Sequence, residues 1–383
     1  MSAPYTHDIL IIGAGPAGAA CALALKDSGL KIALLDKAKF PRDKVCGDAI
    51  PGRAVRVLRE ISPDLAKEFD RFPQKCFTAR TEFFVNHHKS MELRWVQQAY
   101  TCARLDFDNQ LVEMVQAYTD IDFIQEIAPT EILQDESGVN VICGKEELQL
   151  KASLIIGCDG AHSIVRKTFT DFKMDLHHYG GAVRAYYKNV KFLEPDKTEV
   201  YVLSKYLPGY FWVFPLPGNR ANAGFGMLSK HISEKRLNLK KLFFEFIEHH
   251  PLLKEKFAAS EMEGTMQGFG LPFGSQKIQV SGERFMLTGD AASLIDPATG
   301  DGIGNAMWSG QLAARQAQAC FEYNRFDAAF MQNYTQQLYQ KLWPELRKRA
   351  LAQRVATRFP WMLDVGVIAC QNPLIKRLFH KMM

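Results

Sequence analysis

The segment Gly13-Ala14-Gly15-Pro16-Ala17-Gly18 constrains the fold of this chain more than any other. An apolar run, His7–Ile12, precedes it, and a stretch of helical character, Pro16–Ser28, follows and stops at Gly29. A second apolar run, Lys31–Leu35, ends at Asp36. Short apolar runs of this kind read as buried parallel strands, so the segment predicts a strand–helix–strand unit of about 30 residues. Each glycine has its own task there: Gly13 permits the tight turn, Gly15 lets backbone approach a pyrophosphate, and Gly18 lets helix and strand pack closely. Pro16 and Ala17 begin the helix, whose N-terminal dipole favours negative charge. Asp36 stands 18 residues after Gly18. Its carboxylate suits a ribose hydroxyl pair and disfavours a 2′-phosphate. Gly13, Gly15, Pro16, Ala17, Gly18, Asp36 and Lys37 are therefore the first expected cofactor ligands.

That unit alone fits either NAD or FAD, and later segments choose FAD. A strand over Arg284–Leu287 leads into Thr288-Gly289-Asp290-Ala291-Ala292, and Asp296-Pro297-Ala298-Thr299-Gly300-Asp301-Gly302-Ile303 follows. Gly289 and Asp290 suit a ribitol hydroxyl. Gly300, Gly302 and Ile303 offer backbone N–H groups to the polar edge of an isoalloxazine, where reduced flavin carries negative charge. Mid-chain, a strand over Glu147–Ile156 delivers Gly157-Cys158-Asp159-Gly160. With Ser163 and Arg166 it reads as a second phosphate-side motif, although Asp159-Gly160 alone is an ordinary turn. Arg104 opens a helix, Leu105–Tyr118, and is placed to approach the cofactor.

The chain of 383 residues has room for about two domains. With 47% hydrophobic and 23% charged residues it has the composition of a globular protein. A net charge of +5 is too small to argue for nucleic acid, and no basic-aromatic module accompanies it. The charge is uneven: residues 341–383 carry nine Lys/Arg and two acidic groups. That region also holds Trp343, Phe359, Trp361, Met362, Leu374, Leu378 and Phe379. It reads either as a solvated basic face on helices packed against the body, or as a peripheral contact with an anionic membrane. Eight cysteines form no CxxC pair, and Ile9–Leu25 is too short and too glycine-rich for a span or signal, so a cytoplasmic location is expected. The His-His pairs at 87–88, 177–178 and 249–250 lack metal-ligand spacing and read as surface or loop residues; no metal is expected.

Residues 181–228 are rich in Tyr, Val, Phe and Trp with Pro-Gly punctuation and suit a β-sheet. Glu131–Cys143 reads as a strand, Leu237–His250 as a helix, and the chain beyond Gly304 as mostly helical. The fold class is α/β (α+β overall), with a Rossmann-like FAD-binding domain interrupted by a β-sheet substrate domain and followed by C-terminal helices. Residues 1–75, 100–178 and 276–320 form the first domain, 76–99 and 179–275 the second, and 321–383 the helical region.

Several segments carry a resemblance to the para-hydroxybenzoate-hydroxylase-like flavoproteins and, within them, to the geranylgeranyl reductase family. Lys44-Val45-Cys46-Gly47 resembles that family's Lys-x-Cys-Gly segment. Tyr210-Phe211-Trp212-Val213-Phe214-Pro215, with Gly224-Phe225-Gly226 eight residues later, resembles its YxWxFP…GxG pattern. Arg104 to Leu111 resembles R-x-x-F-D-x-x-L. Flavin halogenases carry Gly-Trp-x-Trp-x-Ile-Pro where this chain has Gly209-Tyr210-Phe211-Trp212-Val213-Phe214-Pro215, so the first Trp is missing. The resemblance implies an FAD-dependent reductase of carbon–carbon double bonds in a lipophilic isoprenoid or polyene. It adds Arg42, Cys46 and Gly47 to the expected cofactor ligands. Cys46, Tyr210 and Trp212 become expected catalytic residues, and Tyr210, Trp212, Phe214 and Arg184 expected substrate contacts. Tyr210, Trp212 and Phe214 alternate along a strand, so they share a face: an apolar wall for substrate or a half-buried core. Cys46 is either a small buried hydrophobe or a thiol beside the flavin, with Arg42 and Lys44 near in sequence. No second nucleotide fingerprint exists, so NADPH or NADH binds transiently, or reduced ferredoxin supplies electrons. The same fold also serves aromatic or polyketide monooxygenases and non-catalytic electron carriers, which stay as alternatives.

Overall fold

The computed structural model describes residues 5–86, 89–144 and 148–370. Among them, two eight-stranded sheets form the framework. The first is gathered from distant parts of the chain. Tyr5–Ile12 lies at its centre, parallel to Ile32–Leu35 on one side and Leu148–Gly157 on the other. Asp122–Ile124 and Phe285–Leu287 extend it in parallel at the two ends. Ile9–Ile12, Ile32–Leu35 and Leu154–Ile156 are continuous buried apolar runs, as strands covered by helices on both faces must be. Where the sequence predicts one strand over Glu131–Cys143, the structure has a hairpin, Pro129–Asp135 and Gly138–Cys143. The chain reverses at Asp135, whose Oδ1 accepts from the amides of Ser137 (2.7 Å) and Gly138 (3.0 Å), an Asx turn hidden inside an apparently continuous run.

The second sheet runs in the order Glu261–Pro272, Tyr179–Lys188, Arg220–Leu228, Gly209–Leu216, Lys197–Val202, Cys76–Val85, Lys89–Thr101, Ala49–Ile50. Its two faces differ. Phe211, Val213 and Phe225 project into a core completed by Phe243 and Phe246 of helix Leu239–His249 and by Leu253 and Phe257 of helix Pro251–Phe257. Burying each such aromatic stabilises the fold by about 1.5–3 kcal/mol. The alternate residues, Tyr210, Trp212 and Phe214, turn to the opposite face. His250 also joins this core: it is buried, its ring 5.1 Å from that of Tyr201, so it is not a surface residue as the sequence predicts. The helix end at His249 turns it inward; His87 and His88 lie outside the described residues.

Helix Pro16–Ala24 packs against helix Ile303–Glu322 at Gly310, where a Cβ would stand 2.2 Å from the Ala17 carbonyl oxygen. Helix Ala328–Arg358 then runs for 31 residues, through Pro344, and buries Met331, Tyr334, Leu338, Leu342 and Leu346 in the first sheet's core. Tyr334 fixes it further, donating from its hydroxyl to the Leu287 carbonyl at 2.6 Å. The final described helix is Trp361–Cys370. Leu374, Leu378 and Phe379 lie outside the described residues.

Candidate functional site

A cavity of about 1210 Å³ lies between the two sheets. At one end it is floored by the glycine turn. Gly13 has φ +101°, and a Cβ there would stand 2.4 Å from the Cys158 carbonyl oxygen; a Cβ on Gly18 would stand 1.9 Å from the Gly13 oxygen. Both glycines are thus explained by packing within the protein. Gly15 is different: the only atom its Cβ would meet within 4 Å is an Arg42 guanidinium nitrogen at 3.5 Å. It faces the cavity, as a residue beneath a pyrophosphate must. Gly15 is also the N-cap of its helix and offers no side-chain cap, leaving that helix end for an anion. Asp36 holds the loop in shape, its Oδ2 accepting from the Ala14 amide (2.8 Å) and its Oδ1 from the Ala38 amide (2.9 Å).

Of the residues expected from sequence, Gly13, Gly15, Pro16, Ala17, Asp36, Lys37, Arg42, Cys46, Gly47, Arg104, Asp159, Gly160, Arg184, Tyr210, Trp212, Phe214, Asp290, Gly300, Gly302 and Ile303 all line this cavity. Gly18 and Gly289 lie behind it. Gly289 sits against Ala306 and Ala17, and its amide donates to Ser309 Oγ at 3.0 Å. Asp159 and Arg166 make structural contacts besides the phosphate-side role expected of their motif. Asp159 Oδ2 accepts from the amides of Ile164 (2.7 Å) and Val165 (3.2 Å), capping helix Ile164–Phe169, and burial pushes its carboxyl up. Arg166 donates to the carbonyls of Ala161 (2.5 Å), Ala291 (3.1 Å) and Asp290 (3.3 Å), so it ties the Asp159-Gly160 turn to the Gly289-Asp290 segment.

The second helix end at the cavity belongs to Ile303–Glu322, with Gly302 as an N-cap that makes no side-chain cap bond. Gly300 has φ +70°, and its Cβ position lies 3.2 Å from the Tyr210 hydroxyl, which donates to the Thr299 carbonyl. Burial and the neighbouring Asp296 carboxylate push Asp301 up to about 6. Lys44 Nζ reaches Asp290 Oδ2 at 3.3 Å and stands over the Phe269 ring at 4.7 Å. The cation beside Cys46 is therefore Arg104, rather than Lys44. Arg104 is itself buried and makes a bidentate pair with Asp108 (2.6 and 2.7 Å), which Arg42 also meets at 2.6 Å. These two arginines hold the Asp108 carboxyl below the usual range despite its burial.

Tyr210, Trp212 and Phe214 form the opposite wall, with ring centroids 5.9 and 6.4 Å apart in sequence order. The register explains the spacing of the later glycines: Tyr210 pairs with Gly226, Trp212 with Gly224 and Phe214 with Asn222. The Trp212 ring lies across Gly224, where a Cβ would stand 2.0 Å from a ring carbon. The same ring and Phe214 pack on Gly47, at 3.5 and 3.4 Å from its Cβ position. The Lys44–Gly47 segment and the aromatic strand, far apart in sequence, are thus in contact. Arg184 is directed to Asp43 (2.8 and 2.9 Å).

Sequence reasoning missed two groups. Asp48 and Asn222 lie buried behind the wall; the available signals were an acid directly after Gly47 and a polar residue in phase with Gly224 and Gly226. Glu345, Arg349, Gln353 and Leu363, from the C-terminal helices, line the cavity as well. Arg349 pairs with Asp296 at 3.0 Å, and Glu345 with Arg53 at 2.7 Å. No local pattern marks residues of a long amphipathic helix as facing a distant loop. No cluster of His, Cys, Asp and Glu that could hold a metal exists among the described residues.

Residues 6–315 match the family described as FAD binding domain. The digeranylgeranylglycerophospholipid reductase of Thermoplasma volcanium is 28% identical over 343 residues, covering 86% of this chain and 82% of its own. The menaquinone reductase of Mycolicibacterium smegmatis is 28% identical over 80% of this chain and 75% of its own. Among solved structures, a geranylgeranyl bacteriochlorophyll reductase-like protein of Thermoplasma acidophilum superposes with a TM-score of 0.84 at 24% identity, covering 96% of this chain and 92% of its own. A triple mutant of the flavin-dependent brominase Bmp2 shares the fold with a TM-score of 0.78 at 20% identity, covering 97% of this chain and 94% of its own. The open face of Gly15, the two uncapped helix ends and the family match agree: the chain belongs to the FAD binding domain family and is an FAD-dependent oxidoreductase.

Proposed function

We propose that the protein saturates carbon–carbon double bonds in a lipophilic isoprenoid or polyene substrate. The observation that carries this reading is the contact between the Cys46–Gly47 segment and the Trp212 and Phe214 rings, on one cavity with the glycine turn. Named relatives that act on isoprenoid compounds, a digeranylgeranylglycerophospholipid reductase and a menaquinone reductase, support it. Gly13, Gly15, Asp36 and the helix ends at Pro16 and Ile303 hold FAD, which when reduced supplies the hydride. The aromatic wall holds an apolar chain and excludes water from the reacting bond. Cys46, which lies beside the guanidinium of Arg104, gives its proton to the second alkene carbon. NADPH, NADH or reduced ferredoxin restores the electrons without a dedicated second domain.

The test is anaerobic reduction of the purified protein followed by reoxidation with geranylgeranyl diphosphate, with a polyprenyl quinone and, separately, with oxygen. The expected result is reoxidation by an alkene, with a product heavier by one H2. A hydroxylated product formed only with oxygen would transfer the assignment to the monooxygenases.

The same reading sets the substrate entrance at an anionic lipid surface. Leu363 and Val96 line the cavity; Val96 (83% exposed) and the neighbouring Trp361 (61%) and Val365 (52%) are open to solvent. Arg354 and Arg358 supply positive charge on the adjoining helix. No helix among the described residues is long and apolar enough to cross a membrane, so contact is peripheral. Co-sedimentation with phosphatidylglycerol vesicles, weakened by salt and absent for phosphatidylcholine, checks it.

A further inference from the structure

We propose that Asp48 and Asn222 act as a positioning pair that locks the Trp212 ring to the main chain of Cys46. This deepens the reading above, because it concerns how the two faces of that site are held in register.

The hydrogen bonds leave little freedom. Asn222 is fully buried, and its Nδ2 donates to Asp48 Oδ2 and to the Cys46 carbonyl, both at 2.8 Å. Its Oδ1 accepts the indole N–H of Trp212, also at 2.8 Å. Both amide protons and the oxygen are therefore used, and a rotated amide would face the indole donor with a donor. One side chain thus measures the distance from the Cys46 backbone to the Trp212 ring. Asp48 fixes that side chain from behind. It is fully buried and has φ +64°, a left-handed conformation that Asp tolerates better than most residues. Its amide neighbourhood is closed by Cys102, whose N–H donates to the Asp48 carbonyl at 2.9 Å. Its Oδ2 also accepts from the Tyr186 hydroxyl at 2.9 Å, whereas its Oδ1 has no partner.

A buried carboxylate with one unpartnered oxygen is unfavourable for stability alone. An amide or apolar residue of the same shape would cost less. The groups that face it are Tyr186 and Arg184 from strand Tyr179–Lys188, Asn222 from Arg220–Leu228, Arg104 from the helix Arg104–Tyr118, and Cys102 just before that helix. Burial raises its carboxyl to about 6, against the pull of Asn222, Arg184, Tyr186 and Arg104. The ionised form, the stronger acceptor for both Asn222 and Tyr186, therefore dominates above about pH 6 and is lost below it.

The experiment compares the FAD-loaded wild type with Asp48→Asn and Asn222→Ala. The first readout is independent of substrate: the indole N–H resonances of the five tryptophans in 15N-labelled protein, with Trp212 assigned through Trp212→Phe. The Trp212 resonance is expected to shift between pH 5 and 7 in the wild type, to stay constant in Asp48→Asn, and to move to a solvent-like position in Asn222→Ala. The second is single-turnover reoxidation by alkene. It is expected to fall about 10- to 100-fold in both variants, as misplaced reacting groups do, with flavin reduction by dithionite and FAD content unchanged. A Trp212 resonance that titrates equally in Asp48→Asn, or that is unmoved in Asn222→Ala, overturns the pairing. If no alkene reoxidises the wild type, the proposed function fails while the resonance still decides the pairing.

Discussion

A Cβ on Gly18 would stand 1.9 Å from the Gly13 carbonyl oxygen, and a Cβ on Gly224 would stand 2.0 Å from a ring carbon of Trp212. The two glycines are equally crowded, by different partners. In the nucleotide half, glycine lets backbone meet backbone, so the turn can be written in six consecutive residues. In the aromatic half, glycine lets backbone meet a ring from the neighbouring strand, so its reason lies twelve residues away in the sequence, at Trp212. The first arrangement suits a constant chemical group, such as a pyrophosphate. The second shapes a wall and can change with the substrate. The fold is shared with a flavin-dependent brominase over 97% of this chain, so fold alone does not decide the chemistry.

The comparison is broken most severely at Gly15. Its φ of −71° and ψ of −172° are open to any residue, and nothing but Arg42 lies near its Cβ position. Gly15→Val should therefore fold and be colourless, with FAD affinity reduced at least about 100-fold, because the side chain fills the space of the pyrophosphate. Circular dichroism and absorbance at the flavin band check both halves of this, and stoichiometric yellow protein would falsify the cofactor assignment.

Cys46 probes the boundary between the halves. Cys46→Ser keeps the shape and loses acidity, and should slow alkene reduction about 100-fold, within the range of general acid catalysis. Flavin reduction by the electron donor should change little. Stopped-flow measurement of the two half-reactions separates the outcomes; equal rates in both would reduce the thiol to packing.

In the aromatic half, Gly224→Val should destabilise the protein by about 1–3 kcal/mol through overpacking against Trp212. It should leave FAD bound and weaken substrate binding. Adding Trp212→Ala should restore part of the lost stability, since the clash is with that ring, while KM remains high. Thermal unfolding of the double variant is the measurement, and an additive loss would mean the ring is not what Gly224 accommodates.

The smallest effect is electrostatic. Burial and Asp296 hold Asp301 near 6, above its ordinary value of 3.8, so the native state binds a proton that the unfolded chain releases. Its contribution to stability is full below about pH 3.8 and declines as pH rises through about 6. Asp301→Asn keeps the bond from the Ile303 amide and removes that decline. It should be more stable than wild type at pH 8 by about 1 kcal/mol, a partial value because the residue is only partly buried, with little difference near pH 4. Denaturant midpoints at the two pH values test the sign.

The nucleotide half was the more legible in the sequence for the reason just given: its strands are unbroken apolar runs and its glycines neighbour one another. The alternation of Tyr210, Trp212 and Phe214 also announced a common face, though not that Gly47 would lie beneath two of the rings. The hairpin at Asp135 was hidden because an Asx turn needs only short polar residues inside a run that otherwise reads as strand. Asp48 and Asn222 left only faint signals beside Gly47 and Gly224, and Glu345 and Arg349 left none, since each gains its role from a partner on another element. The Asp159-Gly160 motif was found and lies on the cavity, but its carboxylate's cap on its own helix and the carbonyls that Arg166 binds were not legible.

The first sheet places Tyr5–Ile12 beside Leu148–Gly157 and, through it, Phe285–Leu287. This sets an order of events during synthesis. At about 5–20 residues per second, a ribosome needs about 14 to 55 s to pass from the first of these strands to the last. The second sheet can close earlier, since it ends with Glu261–Pro272. The nascent chain thus carries its glycine turn for many seconds beside an unfinished sheet, with the Ile155–Gly157 edge unpaired. Pairing of such distant strands is slow, and that open edge is the segment that a chaperone, or a neighbouring copy, meets first.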